Sequence, residues 1–361
     1  MYNRQIVLAF LELGQELGFS VTTLIRNDRS ADVDDRYIPR GAASPIGFGR
    51  RGFIFGAAAL RSVIREKPDL IVLGHVHFAR IARLIKALSP SSRLWCLVYG
   101  IEVWHPLRAS VRKGLALVEK VLSISDYSRR ELAKNGGVAL DRIGLLPCAL
   151  DPVWQAQYSP RPDDAPSRPG PPTLLTVARL AASERYKGVD SVLRALREVL
   201  KAVPSLRYDI VGDGDDRPRL EALARELGVS QHVRFRGRLF PDELAAAYRD
   251  CTLFVMPSSH EGFGIVFLEA ALFRKASIGG KHGGTPEVVE DGVTGCLVER
   301  EDVLGLSRVL GRLLSSDDER APMESAARRR LLERFTYVSL RDSMKAQLGD
   351  RGLQVGERAA A

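Results

Sequence analysis

Residues 252–269 read TLFVMPSSHEGFGIVFLE, and their pattern decides the architecture. The apolar run Thr252–Met256 lacks polar alternation, as expected of a strand covered on both faces. Pro257 and two serines end it. Gly262 and Gly264 then permit a tight turn and a close backbone approach to a ligand, and from Ile265 the composition is helical. A buried strand, a glycine turn and a helix in succession form the repeating joint of a doubly wound parallel sheet. The joint also aims unpaired N–H groups and the positive end of a helix beyond the strand, which favours a diphosphate. Glu261 and Glu269 bracket the turn. Glu269 lies over a turn into the helix, where its carboxylate can accept two hydrogen bonds from vicinal hydroxyls such as those of a ribose. Glu261 stands nearer to a transferred group. Glycine turns between strands and helices are common; two glutamates with seven residues between them around such a turn are not.

The alternation extends in both directions. Strands are predicted near 173–178, 207–211, 232–236, 252–255 and 276–279, each followed by a helical pattern. After residue 300 the pattern is all helical, and RGLQVGERAAA (351–361) reads as a frayed tail. Upstream, the proline-rich and charged segment 159–172 reads as an exposed linker. The first half has strand candidates at Ser20–Arg26, Asp69–Leu73, Leu94–Tyr99 and Val121–Ser125, with helical patterns near 56–67, 77–88, 109–119 and 127–135 between or after them. The expected fold class is therefore α/β. It has a doubly wound domain over 1–150, a linker over 151–172, a second such domain over 173–335, and a C-terminal helix and tail over 336–361. Two domains of this kind are expected to face a cleft that takes the ligand at the carboxyl ends of their strands. The first domain opens on a helix, since Ile6, Phe10, Leu13 and Leu17 recur at helical spacing. A doubly wound domain opens on a strand, so we expect one strand and a phosphate-facing turn to be lacking ahead of it.

With 361 residues, 45% apolar and 27% charged, the chain can bury two cores. It has neither an apolar run of membrane-spanning length nor the basic, apolar, small-residue order of a signal peptide. Cys96, Cys148, Cys251 and Cys296 are far apart in sequence, against a zinc site or a disulfide framework and in favour of a reducing cytoplasm. The net charge of +9 is uneven: residues 1–150 carry 22 Lys and Arg against 13 Asp and Glu, while the remainder carries 31 of each. Such a field attracts nucleic acid, anionic phospholipid or a phosphorylated substrate, and charge alone does not choose among them. No aromatic-rich basic motif supports a nucleic-acid partner. The segment LRASVRKGLALVEK (107–120) is a candidate contact with an anionic membrane at its inner face, a solvated helix face being the alternative.

A second cluster, VARLAASERYKGVD (177–190), follows the first strand of the second domain. Arg179 and Lys187 lie on the loop, suited to neutralising a leaving diphosphate. In the first domain, His75 and His77 stand just past one strand end and Glu102 past another, as acceptor-side candidates. Two D-x-D pairs, Asp32 with Asp34 and Asp213 with Asp215, suggest a divalent metal bridging a diphosphate. One lies in a polar loop and the other in a glycine-rich turn, and the basic pair already supplies the charge, so metal-independent chemistry is expected.

Arg179, Lys187, VGDGDDRPRLE (211–221), VRFRGRL (233–239), the Glu261 to Glu269 motif and GGTPEVVEDGVTG (283–295) stand in an order that resembles the retaining glycosyltransferases of family 4, which have the GT-B fold. VYGIEVW (98–104) and SISDYSRREL (123–132) extend the likeness into the first domain. SERYKG and YGIEVW are most similar to bacterial exopolysaccharide and lipopolysaccharide mannosyltransferases. The resemblance implies that Arg179 and Lys187 hold the donor's diphosphate and Glu269 its ribose. It places Glu261 near the donor sugar, the backbone of Phe263, Gly264 and Ile265 around the diphosphate, and Arg236–Leu239 at the nucleobase. It further implies a GDP- or UDP-linked sugar donor, no cofactor, a lipid-linked glycan acceptor and retention at the anomeric carbon. Family members often have histidine where this chain has Tyr99. The alternative expectation is a nucleotide-sugar-binding protein whose catalysis is impaired by the lacking strand and turn.

Overall fold

A computed structural model describes residues 2–160 and 170–349, which form two compact units. The first unit begins with α1 (Tyr2–Leu17), β1 (Leu24–Ile25), β2 (Ile46–Gly47), α2 (Gly52–Glu66), β3 (Leu70–Leu73) and α3 (Ala82–Leu88). It continues with β4 (Arg93–Val98), α4 (Ala109–Leu115), β5 (Lys120–Ser123), α5 (Asp126–Gly136) and β6 (Ile143–Leu145). Helix α6 (Pro152–Tyr158) crosses the unit boundary at Val153 and Trp154. The second unit has β7 (Thr173–Val177), α7 (Val189–Ala202), β8 (Arg207–Val211), α8 (Arg217–Glu226), β9 (Val233–Gly237), α9 (Pro241–Asp250) and β10 (Leu253–Met256). It closes with α10 (Ile265–Leu272), β11 (Ser277–Gly280), α11 (Thr285–Val288), β12 (Gly295–Val298), α12 (Val303–Ser315) and α13 (Asp317–Arg334). The last helix, α14 (Tyr337–Gly349), belongs to the first unit.

The second unit is a six-stranded parallel sheet in the order β12-β11-β10-β7-β8-β9. The inner strands β10 and β11 are wholly buried, as the unbroken apolar run of β10 requires, whereas the edge strand β9 alternates and exposes Arg234 and Arg236. The chain leaves β7 towards β8 and β9, then returns to start β10 on the opposite side of β7. The loops after β7 and β10 therefore part at the point where the winding reverses, the place where open α/β sheets bind ligands.

The first unit holds a parallel sheet in the order β3-β4-β5-β6 and a separate parallel pair, β1 with β2. Both sheets of α/β joints thus take the fold class expected. The strand expected over Ser20–Arg26 shrinks to Leu24–Ile25 and joins the small pair instead of the larger sheet. Only Leu24 and Ile25 find partners, in Ile46 and Gly47, and among the described residues β3 keeps a partner on one edge only. The helix expected over 109–119 ends at Leu115, and its apolar face is spent inside. Val111, Gly114 and Leu115 are buried, and a Cβ on Gly114 would stand 1.8 Å from the Ala79 carbonyl oxygen. The 107–120 segment is therefore a packed element, not an amphipathic helix with a free apolar face. Within the expected linker, residues 152–158 are helical because Pro152 starts a turn and Trp154 rests on Tyr158 and Phe273. Residues 161–169 of that linker and the tail 351–361 lie outside the described residues. Helix α14 docks on α1: Tyr337 donates to Glu12 at 2.7 Å, and Arg341 and Lys345 pair with Glu16.

Candidate functional site

The site of the second unit is built from four loops at the carboxyl ends of β7, β8, β10 and β11, packed so closely that glycine is needed between them. Gly212, just past β8, has φ 127°, and a Cβ there would come 1.8 Å from the Ala178 carbonyl oxygen. That contact lets the β8 loop hold the β7 loop: Leu180 N–H donates to the Asp213 carbonyl, Asp216 N–H to the Leu180 carbonyl at 2.8 Å, and Ala182 N–H to the Asp215 carboxylate. Asp216, nearly buried, takes hydrogen bonds from Arg185 and Arg219, which lower its carboxyl below the usual range. The β7 loop is thereby fixed at both ends of the stretch that carries Arg179 and Lys187. Across the reversal point, Ser259 N–H donates to the Tyr186 carbonyl, and beyond it Gly284 N–H, after β11, donates to the Glu261 carbonyl.

Lys187 and Glu261, 74 positions apart, meet here at 2.5 Å (Nζ to Oε2). The Lys187 ammonium also stands over the Tyr186 ring, whose phenol burial, Glu184 and Glu261 together push up to about 12. Arg179 pairs with Glu184. Gly264, at φ 97°, caps α10, and a Cβ there would strike the Phe267 ring at 2.5 Å. Phe263 anchors the turn against Phe335. Ile265 then opens α10, whose first N–H groups lack intrahelical acceptors. Glu269 lies 8% exposed on this helix, its Oε2 accepting from the Tyr248 hydroxyl at 2.7 Å. The Arg236 side chain, with Arg234, turns to the buried Asp209 carboxylate. The Gly237 carbonyl accepts from Gly212 N–H, and Leu239 is half-buried. Asp213 and Asp215 are engaged in loop hydrogen bonds with Gly214 and Ala182, and no metal-holding cluster occurs among the described residues.

In the first unit, His75, His77 and Glu102 come together beyond β3 and β4. His75 Nδ1 accepts from His77 N–H, the two rings stack at 4.7 Å, and burial lowers the His75 imidazole against the opposing pull of Glu102. Glu102 accepts from Tyr99 N–H at 2.5 Å. Tyr99 reaches back over the end of β3 to donate to the Gly74 carbonyl at 2.8 Å and lies against His75.

The sequence profile of Glycosyltransferase Family 4 matches residues 5–154, and that of Glycosyl transferases group 1 matches residues 161–330. A GDP-mannose-dependent alpha-(1-6)-phosphatidylinositol monomannoside mannosyltransferase of Mycolicibacterium smegmatis is 31% identical over 262 residues, 68% of this chain and 67% of that protein. The chain belongs to family 4 of the glycosyltransferases. A monoacylated-substrate counterpart from Corynebacterium glutamicum is 31% identical over 75% of this chain and 74% of its own length. Among solved structures, Anabaena HepE in complex with UDP and glucose superposes with a TM-score of 0.77 at 18% identity, covering 96% of this chain and 95% of that one. A glycosyltransferase from Rickettsia africae gives 0.75 at 16%, covering 96% and 93%. These likenesses show the GT-B fold.

In this glycosyltransferase several supporting residues escaped sequence reasoning. Glu184 and Asp216 lie inside the 177–190 and 211–221 motifs but were given no role, and Tyr248 lies outside every motif; the Arg179–Glu184 pair is local to one loop, while the sheet brings Asp216 to Arg185 and Tyr248 to Glu269. Tyr248 is the informative case. It is fully buried, and burial together with Glu269 raises its phenol well above the ordinary value, so it stays a donor. Tyr248→Phe removes one donor from the Glu269 carboxylate and is expected to cost about 1–3 kcal/mol of stability, read from urea denaturation. If Glu269 holds the donor's ribose, the same variant also raises the donor KM while leaving kcat nearly unchanged.

Proposed function

We propose that this glycosyltransferase moves a hexose, mannose from GDP-mannose, onto a lipid-linked or polysaccharide acceptor in cell-surface glycan synthesis, with retention and without a metal. The observation that carries the reading is the meeting of Lys187 and Glu261 beside the α10 N-terminus at the reversal point of the sheet. As the bond to the anomeric carbon breaks, negative charge collects on the leaving diphosphate. Lys187, with three donors, keeps one for Glu261 and turns the others to a phosphate oxygen. Arg179 and the first N–H groups of α10 complete the preorganised positive surface, while Glu269 orients the ribose and Glu261 the sugar. The relatives that use GDP-mannose support the donor, and their phosphatidylinositol mannosides support a lipid-linked acceptor. Radiolabelled transfer from a panel of nucleotide sugars into a lipid extract tests this; label from GDP-mannose in the lipid phase is the expected result.

One observation favours a second reading, nucleotide-sugar binding with impaired turnover: among the described residues β3 has no partner on one edge, beside the His75 cluster. GDP-mannose binding without transfer to any acceptor would select it.

For membrane contact, the support shifts from 107–120 to α2. No helix among the described residues is long and apolar enough to cross a membrane. Residues 40–65 hold five arginines and neither Asp nor Glu, and only Val63 of α2 is buried. Phe53 is 98% exposed at its first turn, with Ile54 beside it and Arg50 and Arg51 just before. An aromatic ring flanked by arginines suits an anionic lipid surface, where each cation contributes about 1 kcal/mol. Phe53→Asp is expected to lower co-sedimentation with phosphatidylglycerol vesicles several-fold; unchanged sedimentation would remove α2 from the contact.

A further inference from the structure

The two cations of the β7 loop read as diphosphate ligands, Arg179 and Lys187, differ in their surroundings. Lys187 is mostly covered, whereas the Arg179 side chain is 79% exposed. The partner of Arg179 is the Glu184 carboxylate, only 11% exposed and five residues along the same loop. Glu184 sits at a kink in a short 3-10 turn, its N–H bonded to the Ala181 carbonyl at 2.8 Å. The neighbouring Ala182 and Arg185 are tied to Asp215 and Asp216. The carboxylate is mostly covered and rises from backbone tied at Ala182 and Glu184, and the guanidinium is the partner with more room to turn. A diphosphate that reaches for Arg179 competes with this carboxylate.

We propose that Glu184 is a built-in competitor for Arg179 that loosens the grip on nucleotide and speeds release of the nucleoside diphosphate after transfer. The inference rests on the reading of Arg179 as a diphosphate ligand. Transfer breaks the bond between the anomeric carbon and the diphosphate oxygen, and the electron pair stays on that oxygen. The carbon bonds to the acceptor oxygen, and the proton of the acceptor hydroxyl is released to bulk water. The departing nucleotide therefore carries more negative charge than the donor did, and the Glu184 carboxylate opposes it more. For charges about 4 Å apart in water-like surroundings, each unit of charge is worth about fivefold in affinity.

Glu184→Gln keeps the side chain's shape and removes its charge. Titration calorimetry of the wild type and this variant with GDP, UDP and GDP-mannose, with thermal unfolding as a check on the fold, reads the effect. The variant is expected to bind nucleoside diphosphate tighter, with a gain about fivefold larger than its gain for GDP-mannose. Product inhibition should strengthen in step, and in an Arg179→Gln background the difference should vanish. Equal or weaker diphosphate binding, or a gain that survives Arg179→Gln, overturns the proposal, Glu184 then acting otherwise than by competing for Arg179. A wild type that binds neither GDP nor UDP would instead defeat the reading of the site itself.

Discussion

Lys187→Ala is expected to lower kcat for hexose transfer by about 10²–10³, the loss usual for one preorganised group facing the charge that develops in a transition state. Two effects add in the same direction. The diphosphate loses a cation, and Glu261, only 15% exposed, loses the partner 2.5 Å away and presents its charge to the leaving group. The second effect makes the pair behave as a unit, so Lys187→Ala combined with Glu261→Gln should cost far less than the product of the losses from each alone. Transfer assays on the three variants, with circular dichroism to confirm the fold, decide the matter. Near-normal turnover of Lys187→Ala would remove the pair from the chemistry.

Gly212→Ala should have the largest effect on stability. A methyl group there would lie 1.8 Å from the Ala178 carbonyl oxygen, a contact with backbone that no side-chain rotation relieves, and φ 127° is itself a strained angle for alanine. The β7 and β8 loops must separate, which breaks the hydrogen bonds of Leu180, Ala182 and Asp216 that fix Arg179 and Lys187. We expect a loss of about 4 kcal/mol or more, at the extreme of single substitutions, measured as the shift of the urea midpoint, with donor binding abolished in any folded remainder. Gly311→Ala is the matched control. Gly311 lies within α12 with nothing within 4 Å of an added Cβ, so alanine there should stabilise by about 0.5–1 kcal/mol.

The joint at 252–269 was legible because a strand buried on both faces must be apolar throughout and the turn that follows it must contain glycine. Those are local requirements, so β10, Gly264 and α10 stand where the sequence places them to within a residue. The edges were harder to see. Strands β2, β6 and β12 are two to four residues long, too short for any period to show, and each exists because a neighbouring strand offers a ladder. The Ser20–Arg26 run shows the converse: its β-branched residues favour a strand, yet only Leu24 and Ile25 find a partner. The charged 107–120 segment likewise has the look of a surface helix, and only the packing of Gly114 on Ala79 shows that its apolar face is already used.

By itself, then, the sequence determined the alternation of strands and helices, the glycine turns and the types of side chain that can hold a diphosphate, because each depends on neighbours along the chain. Which of those side chains meet was decided by the tertiary structure. Lys187 reaches Glu261 because the winding reverses between β7 and β10, and Tyr248 reaches Glu269 because α9 and α10 flank buried strands. Strand order is set by burial summed over the whole sheet, a quantity that no single stretch of residues contains.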